Sequence, residues 1–239
     1  ILNYDDERTR HMKHRAKARI AFFSRRENLS EGACLADGML VIRWGGKSYP
    51  LISEKELGIK GPHNTENALA ASLMAFFAGV APAEMQPVLK DFRGVEHRIE
   101  YVTTIDGVDY YNDSKATNTD SAMKALDTFP AGIVLLAGGD DKMTDLTDFM
   151  QLAKVRVHQL ILVGAAAKRF HEAARENGMP EEHIHDVGYS MERAVALAHE
   201  LAKAPETVLL SPACASFDMY NGMAERGRHF KSLVHALEA

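Results

Sequence analysis

Ile133-Val134-Leu135-Leu136-Ala137-Gly138-Gly139-Asp140-Asp141-Lys142 is the stretch that decides the fold. Its apolar residues run without a break, so it does not read as a strand with one wet face. It reads as a strand buried on both sides. Two glycines and a polar run end it, and a helix candidate follows near 146–155. The rhythm then repeats. Strand candidates at 160–163, 184–187 and 207–210 alternate with helix candidates at 166–177, 191–202 and 223–237. Short apolar strands separated by helices imply an α/β, Rossmann-like domain with a mostly parallel sheet. Upstream of Ile133, 98–105 and 108–111 flank Asp106-Gly107, a hairpin signal. Asn118 or Thr119 then caps a helix candidate running to Phe129. In such sheets ligands sit beyond the C-terminal ends of the strands. The polar segments 112–118, 138–142 and 211–221 each follow a strand and are expected to crowd one edge.

The segment before this domain reads differently, which places a boundary between 1–95 and 96–239. Leu2 to Asp6 looks like a strand end followed by a polar turn, and a basic, helix-like stretch runs from Arg8 to Arg26. Strand candidates at 33–36, 39–44 and 48–52 are joined by Asp37-Gly38 and Gly45-Gly46-Lys47, and Asp-Gly is a strong two-residue hairpin signal. A buried helix is expected over 67–80, and Pro82 opens another over 83–92. Gly45-Gly46-Lys47-Ser48 resembles the tail of a phosphate-binding loop. Val41 stands where that motif needs its earlier glycine, so the hairpin reading is preferred.

Of the 239 residues 46% are hydrophobic and 26% charged, which excludes a disordered chain. A net charge of -5 gives no electrostatic case for nucleic-acid binding. The two cysteines, Cys34 and Cys214, form neither a CxxC nor a disulfide framework, which fits a reducing cytosol. No apolar run reaches membrane-span length, and no signal peptide is evident. The chain opens on Ile1 rather than Met and is expected to be a piece of a longer protein.

Asn112-Asp113-Ser114-Lys115-Ala116-Thr117-Asn118 is the densest polar cluster. A helix start favours anions, Lys115 adds a full positive charge, and Asp113 suits ribose hydroxyls. Capping alone requires only Asn118 or Thr119. Lys142, after two glycines, suits a carboxylate. The small residues of 211–216 let backbone donors and Ser216 approach a substrate. Cys214 lacks a recognisable histidine partner, so it is not expected to be a nucleophile. His11 with His14, and His183 with His185, lack a third metal ligand nearby and read as solvated surface.

Gly61-Pro62-His63-Asn64-Thr65-Glu66-Asn67-Ala68, Phe92 to Glu100, the 112–118 cluster and Ser211 to Asp218 with Glu225-Arg226-Gly227 together resemble the Mur ligases. The likeness is strongest to the branch that adds D-glutamate to UDP-N-acetylmuramoyl-L-alanine. Lys115 stands where sibling ligases, including folylpolyglutamate synthases, carry a histidine. The resemblance implies a cytoplasmic, ATP- and magnesium-dependent ligase of peptidoglycan precursor synthesis. Residues 1–95 would be the end of its central ATPase domain and 96–239 its complete C-terminal domain. It implies that Asn3 meets adenine, Arg98 the ATP phosphates and Asp113 the ribose. It also implies that Lys115, Thr117, Lys142 and Ser216 hold D-glutamate, with Phe217 offering its backbone, and that Lys115 and Arg98 act in catalysis. The phosphate loop and most magnesium ligands would lie upstream, leaving this piece inactive alone and prone to self-association. The full-length enzyme is expected to be a monomer that binds neither nucleic acid nor membrane. One departure stands out: Tyr220-Asn221-Gly222-Met223 replaces an aromatic-Lys-Asn-aromatic run. The alternatives are a sibling amide ligase and a non-enzymatic Rossmann-like binding module.

Overall fold

The computed structural model describes residues 1–59 and 61–238. They form two compact units, Ile1–Arg93 and Gly94–Ala239.

The first unit contains β1 (Leu2–Asn3), α1 (Glu7–His11), β2 (Phe22–Ser24), β3 (Gly32–Ala36), β4 (Met39–Trp44), β5 (Lys47–Ser53), α2 (Pro62–Phe77) and α3 (Pro82–Asp91). Its sheet runs β1-β2-β3-β4-β5, parallel over the first three strands and antiparallel over the last three. Both hairpins turn through paired positive-φ residues, Asp37-Gly38 (49° and 76°) and Gly45-Gly46 (59° and 74°). That geometry matches the twist of the flanking strands. The Gly45 motif is therefore a hairpin turn. Leu40 and Ile42 of β4 pack with Leu69 and Leu73 of α2 in one core.

Two expectations shift here. The basic stretch is not a helix throughout. It holds α1, capped by Asp6 accepting from the Thr9 N–H at 2.7 Å, and a single 3-10 turn at Met12–His14. These helical turns bury no residue and have no apolar stripe, and the stretch ends in β2, with Ala21 in the core and Phe23 packed against it. Arg10 and Arg19 instead stack over the Tyr4 and Trp44 rings, at 5.1 and 4.2 Å. Helix α2 begins at Pro62, ahead of the expected Asn67, because proline suits a first helical position and its polar first turns are buried at Asn64 and Thr65.

The second unit contains β6 (Glu100–Ile105), β7 (Val108–Asn112), α4 (Thr119–Leu126), β8 (Ile133–Gly138), α5 (Thr147–Arg156), β9 (Val157–Val163), α6 (Ala167–Glu176), β10 (Ile184–Asp186), α7 (Met191–Leu201), β11 (Thr207–Leu210) and α8 (Met223–Ala236). The sheet order is β10-β9-β8-β11-β7-β6. Every pairing is parallel except the β6–β7 hairpin. The unbroken apolar run of β8 now has its reason. Ile133, Leu135 and Ala137 enter a core with α4, α5 and α6. Val134 and Leu136 enter the opposite one with α7 and α8. Asn118 caps α4, its side chain accepting from the Ser121 N–H at 2.9 Å. Strand β6 starts at Glu100 rather than Arg98 because His97 and Ile99 turn left-handed, with φ of 70° and 44°.

The order β8-β11-β7 puts the three polar segments side by side at the C-terminal edge. Gly138 ends β8 at φ +111°, where an added Cβ would lie 2.1 Å from the Val163 carbonyl oxygen. Gly138→Ala therefore carries backbone strain, about 1–3 kcal/mol, plus a clash with a neighbouring strand. Denaturant unfolding should show a lower midpoint with unchanged slope. An unaltered midpoint would mean that β8 ends in another conformation.

Candidate functional site

Arg226, in the second turn of α8, is 2% exposed. Its guanidinium donates from Nε to Ser114 Oγ (2.9 Å), from Nη1 to the Ala215 carbonyl (2.9 Å), and from Nη2 to the carbonyls of Ser114 (2.9 Å) and Cys214 (3.1 Å). Ser114 Oγ in turn donates to the Met223 carbonyl at 2.7 Å. Asp140 and Ala215 exchange two backbone hydrogen bonds of 3.0 Å. Gly139 passes so close that a Cβ there would stand 2.4 Å from the Ala215 oxygen. The loops after β7, β8 and β11 are thus one hydrogen-bonded body. Burial pulls the Arg226 pKa down to about 10, with Cys214, Asp218, Tyr220 and Asp113 opposing, and leaves it charged at neutral pH.

Asp113 is buried beside it. Its Oδ2 accepts from Ser211 Oγ at 2.9 Å and its Oδ1 from the Ile99 N–H at 3.2 Å. Burial pushes its pKa up to about 7, against the pull of those hydrogen bonds and of Arg98 and Arg226. A carboxyl poised there accepts hydroxyl protons as an anion yet is cheap to neutralise.

The remaining candidates of the second unit lie on these loops and on the segment before β6. Lys115 is exposed and anchored by its backbone N–H to the His97 carbonyl at 3.0 Å. Thr117 is half-buried, Lys142 exposed, Ser216 buried and Phe217 70% exposed. Among the described residues neither Lys115 nor Lys142 makes an ion pair. Asp141, next to Lys142, is held by Arg169 at 2.7 Å, which fixes the foot of that loop. Arg98 is exposed. Asn3 belongs to the first unit, at the end of β1. Its Oδ1 accepts from the Asp5 N–H (2.9 Å) and its Nδ2 reaches Glu66 Oε2 (3.5 Å).

Cys214 is buried, and burial first, then Asp141, pushes its thiol up to about 12, so it is no nucleophile. Among the described residues no group of three His, Cys, Asp or Glu is arranged to hold a metal ion, and no helix is long and apolar enough to cross a membrane.

Sequence reasoning quoted Arg226 but gave it no role. The available signal was Arg226-Gly227 just inside a helix. Gly227 lets His97 approach, since a Cβ there would lie 2.3 Å from His97 Nδ1. Asp218 was also passed over; its Oδ2 accepts from the Ala165 N–H at 2.9 Å and ties in the loop after β9. At the departure from the family pattern, the Met223 carbonyl accepts from Ser114 Oγ, a contact that does not depend on which side chain stands there.

Residues 97–214 match the model of the Mur ligase glutamate ligase domain. The chain is 45% identical over 237 residues to the UDP-N-acetylmuramoylalanine--D-glutamate ligase of Thermoanaerobacter sp. (strain X514), covering 99% of this chain and 52% of that protein. It is 41% identical over 238 residues to the ligase of the same name from Pelotomaculum thermopropionicum, covering 100% and 52%. It therefore spans about half the length of the curated relatives it matches. Its fold is similar to a UDP-N-acetylmuramoylalanyl-D-glutamyl-2,6-diaminopimelate--D-alanyl-D-alanyl ligase of Acinetobacter baumannii (TM-score 0.66, 17% identity, 99% of this chain and 50% of that one). It is also similar to Mycobacterium tuberculosis folylpolyglutamate synthase complexed with ADP (TM-score 0.64, 15% identity, 93% and 51%). The mostly parallel sheet, the polar loops locked at its C-terminal edge and the kinship across nearly every residue agree: this chain belongs to the Mur ligase family.

Proposed function

We propose that the protein to which this chain belongs joins D-glutamate to UDP-N-acetylmuramoyl-L-alanine in cytoplasmic peptidoglycan precursor synthesis, at the expense of ATP. The observation that carries this reading is a pair of exposed cations, Lys115 and Lys142, on loops locked together around Arg226. Glutamate presents two carboxylates, and two ammonium groups with nearby hydroxyl and backbone donors answer them. The names of the relatives at 41–45% identity support the same substrate pair. We assign Ile1–Arg93 to the end of the central ATP-binding domain and the rest to the C-terminal ligase domain.

In this chemistry ATP gives its terminal phosphoryl group to the alanine carboxylate of UDP-N-acetylmuramoyl-L-alanine and leaves as ADP, and the glutamate amine then displaces inorganic phosphate as the amide forms and a proton leaves. Lys115 and Lys142, with Thr117, Ser216 and the backbone at Phe217, hold the incoming amino acid and aim its amine. Arg98 faces phosphate charge and, with Lys115, offsets what develops during transfer. Asp113 accepts from ribose hydroxyls, and Asn3 meets the adenine edge. The donor set on these loops is cationic and suits anions, so no magnesium ligand is assigned to them.

In the full-length enzyme, Lys115→Ala and Lys142→Ala should each raise the KM for D-glutamate about one to two decades, the loss of a charge-assisted contact. The KM for ATP should move far less, while Arg98→Ala should act on the ATP-dependent step. Unchanged glutamate KM values in both lysine variants would overturn the substrate assignment.

Asp113 yields a pH prediction. Its native pKa of about 7 lies above the ordinary value of 3.8, so the native state holds the proton more tightly than the unfolded chain does. The associated stability is full below the ordinary value and is lost as pH rises through about 7. Asp113→Asn should abolish that loss, about 1–3 kcal/mol, while weakening ATP use. Thermal melts at pH 5 and 8 compare the two proteins. Equal pH dependence in both would show that Asp113 does not titrate in this window.

A further inference from the structure

Arg98 stands between His97 and Ile99, both in the left-handed backbone region at φ of 70° and 44°. For a β-branched residue that conformation is a genuine outlier. Such strain persists only where the surroundings over-determine it. Here those surroundings are a set of polar contacts. The His97 N–H donates to Glu100 Oε2 at 2.9 Å, the Ile99 N–H donates to Asp113 Oδ1 at 3.2 Å, and the His97 carbonyl accepts from the Lys115 N–H at 3.0 Å.

Glu100 is itself held from two sides. Its Oε2 also accepts from Asn112 Nδ2 at 2.9 Å, and its Oε1 accepts from Lys231 Nζ at 2.8 Å. The same ammonium donates to Glu96 Oε1 at 3.0 Å. Lys231, on α8, therefore joins the two carboxylates that bracket residues 97–99. Lys231 and Glu100 are 22% and 23% exposed, well shielded for an ion pair near a surface. Burial pulls the Lys231 ammonium down, but its bonds to Glu100 and Glu96 outweigh this and raise its pKa. One helical turn earlier, Gly227 leaves room for the His97 ring. Nothing in the site described above uses Glu96, Glu100 or Lys231.

We propose that Glu100 and Lys231 form a clamp that holds the strained 97–99 segment and thereby positions Arg98. They are positioning residues for the phosphate-facing arginine, an assignment that rests on the function proposed above. The clamp also reaches Lys115 and Asp113, because their contacts to His97 and Ile99 end on the same strained segment.

The test uses the full-length enzyme with Lys231→Ala, Glu100→Gln and the conservative Lys231→Arg. Hydrogen exchange in peptides spanning 94–101 should accelerate in the first two and recover in Lys231→Arg, with peptides of β8 unchanged. The kcat of the ATP-dependent step should fall about five- to tenfold, the scale of a partly shielded charged hydrogen bond, and should recover in Lys231→Arg. Wild-type exchange at 94–101 in Lys231→Ala overturns the clamp. So does a wild-type ATP step in Lys231→Ala when Arg98→Ala is impaired. An enzyme indifferent to Arg98→Ala overturns the functional reading instead, while the exchange result still judges whether the clamp exists.

Discussion

A guanidinium taken out of water has to be met by acceptors on every side, and Arg226 meets that demand by gathering two loops, to one of which the third is bonded through Asp140 and Ala215. Desolvating such a charge costs several kcal/mol, by the usual order of magnitude. The cost is offset only when the carbonyls of Ser114, Cys214 and Ala215 and the hydroxyl of Ser114 all converge. Opening either the loop after β7 or the loop after β11 strands part of the charge. The geometry of the edge is therefore tied to the stability of the unit. A lysine at this position would offer a point charge with fewer directed donors, too few to span loops from two strands.

Sheet order makes that convergence possible. The chain visits β7, β8 and β11 at widely separated points, yet β11 inserts between the other two. Their C-terminal ends emerge as neighbours, as parallel α/β sheets require of a ligand edge. Gly138 and Gly139 complete the arrangement. Both sit at positive φ, and both lie where a side chain would strike the backbone of an adjacent segment. Close approach of backbones, more than flexibility, is what those glycines supply.

Legibility followed the range of the forces involved. The alternating elements of 133–237 were readable because burial on both faces leaves an unbroken apolar signature, and the hairpins because Asp-Gly turns are local chemistry. The basic stretch misled, since charge frequency does not reveal whether an apolar stripe lies beneath it. Strand β6 began later than expected because the left-handed turns at His97 and Ile99 are imposed by Glu100, Asp113 and Asn112. Asn112 and Asp113 are distant in sequence, and an acid at Glu100 does not by itself announce a turn at residue 97. The polar clusters were found by density, and the carry-over from the family resemblance supplied their roles. Arg226 looked like any helix arginine, for burial of a charge is a tertiary property with no mark in sequence.

The resulting architecture separates what is fixed from what is offered. The fixed part is buried and already satisfied: Arg226, Asp113, Ser114 and Asn112 form a polar skeleton whose partners are mostly within the chain. The offered part is exposed and cationic: Lys115 and Arg98 are tethered by their own backbone hydrogen bonds, and Lys142 stands two residues beyond the Asp140–Ala215 pair. Long charged side chains lose entropy when held, so binding through them is efficient only if their roots do not move. Asp113 joins the two parts. One oxygen steadies Ser211, at the start of the loop that carries Ser216. The other steadies Ile99, beside Arg98. In the proposed reaction that residue links the nucleotide side of the site to the amino-acid side, so a change in its protonation is felt by both substrates at once.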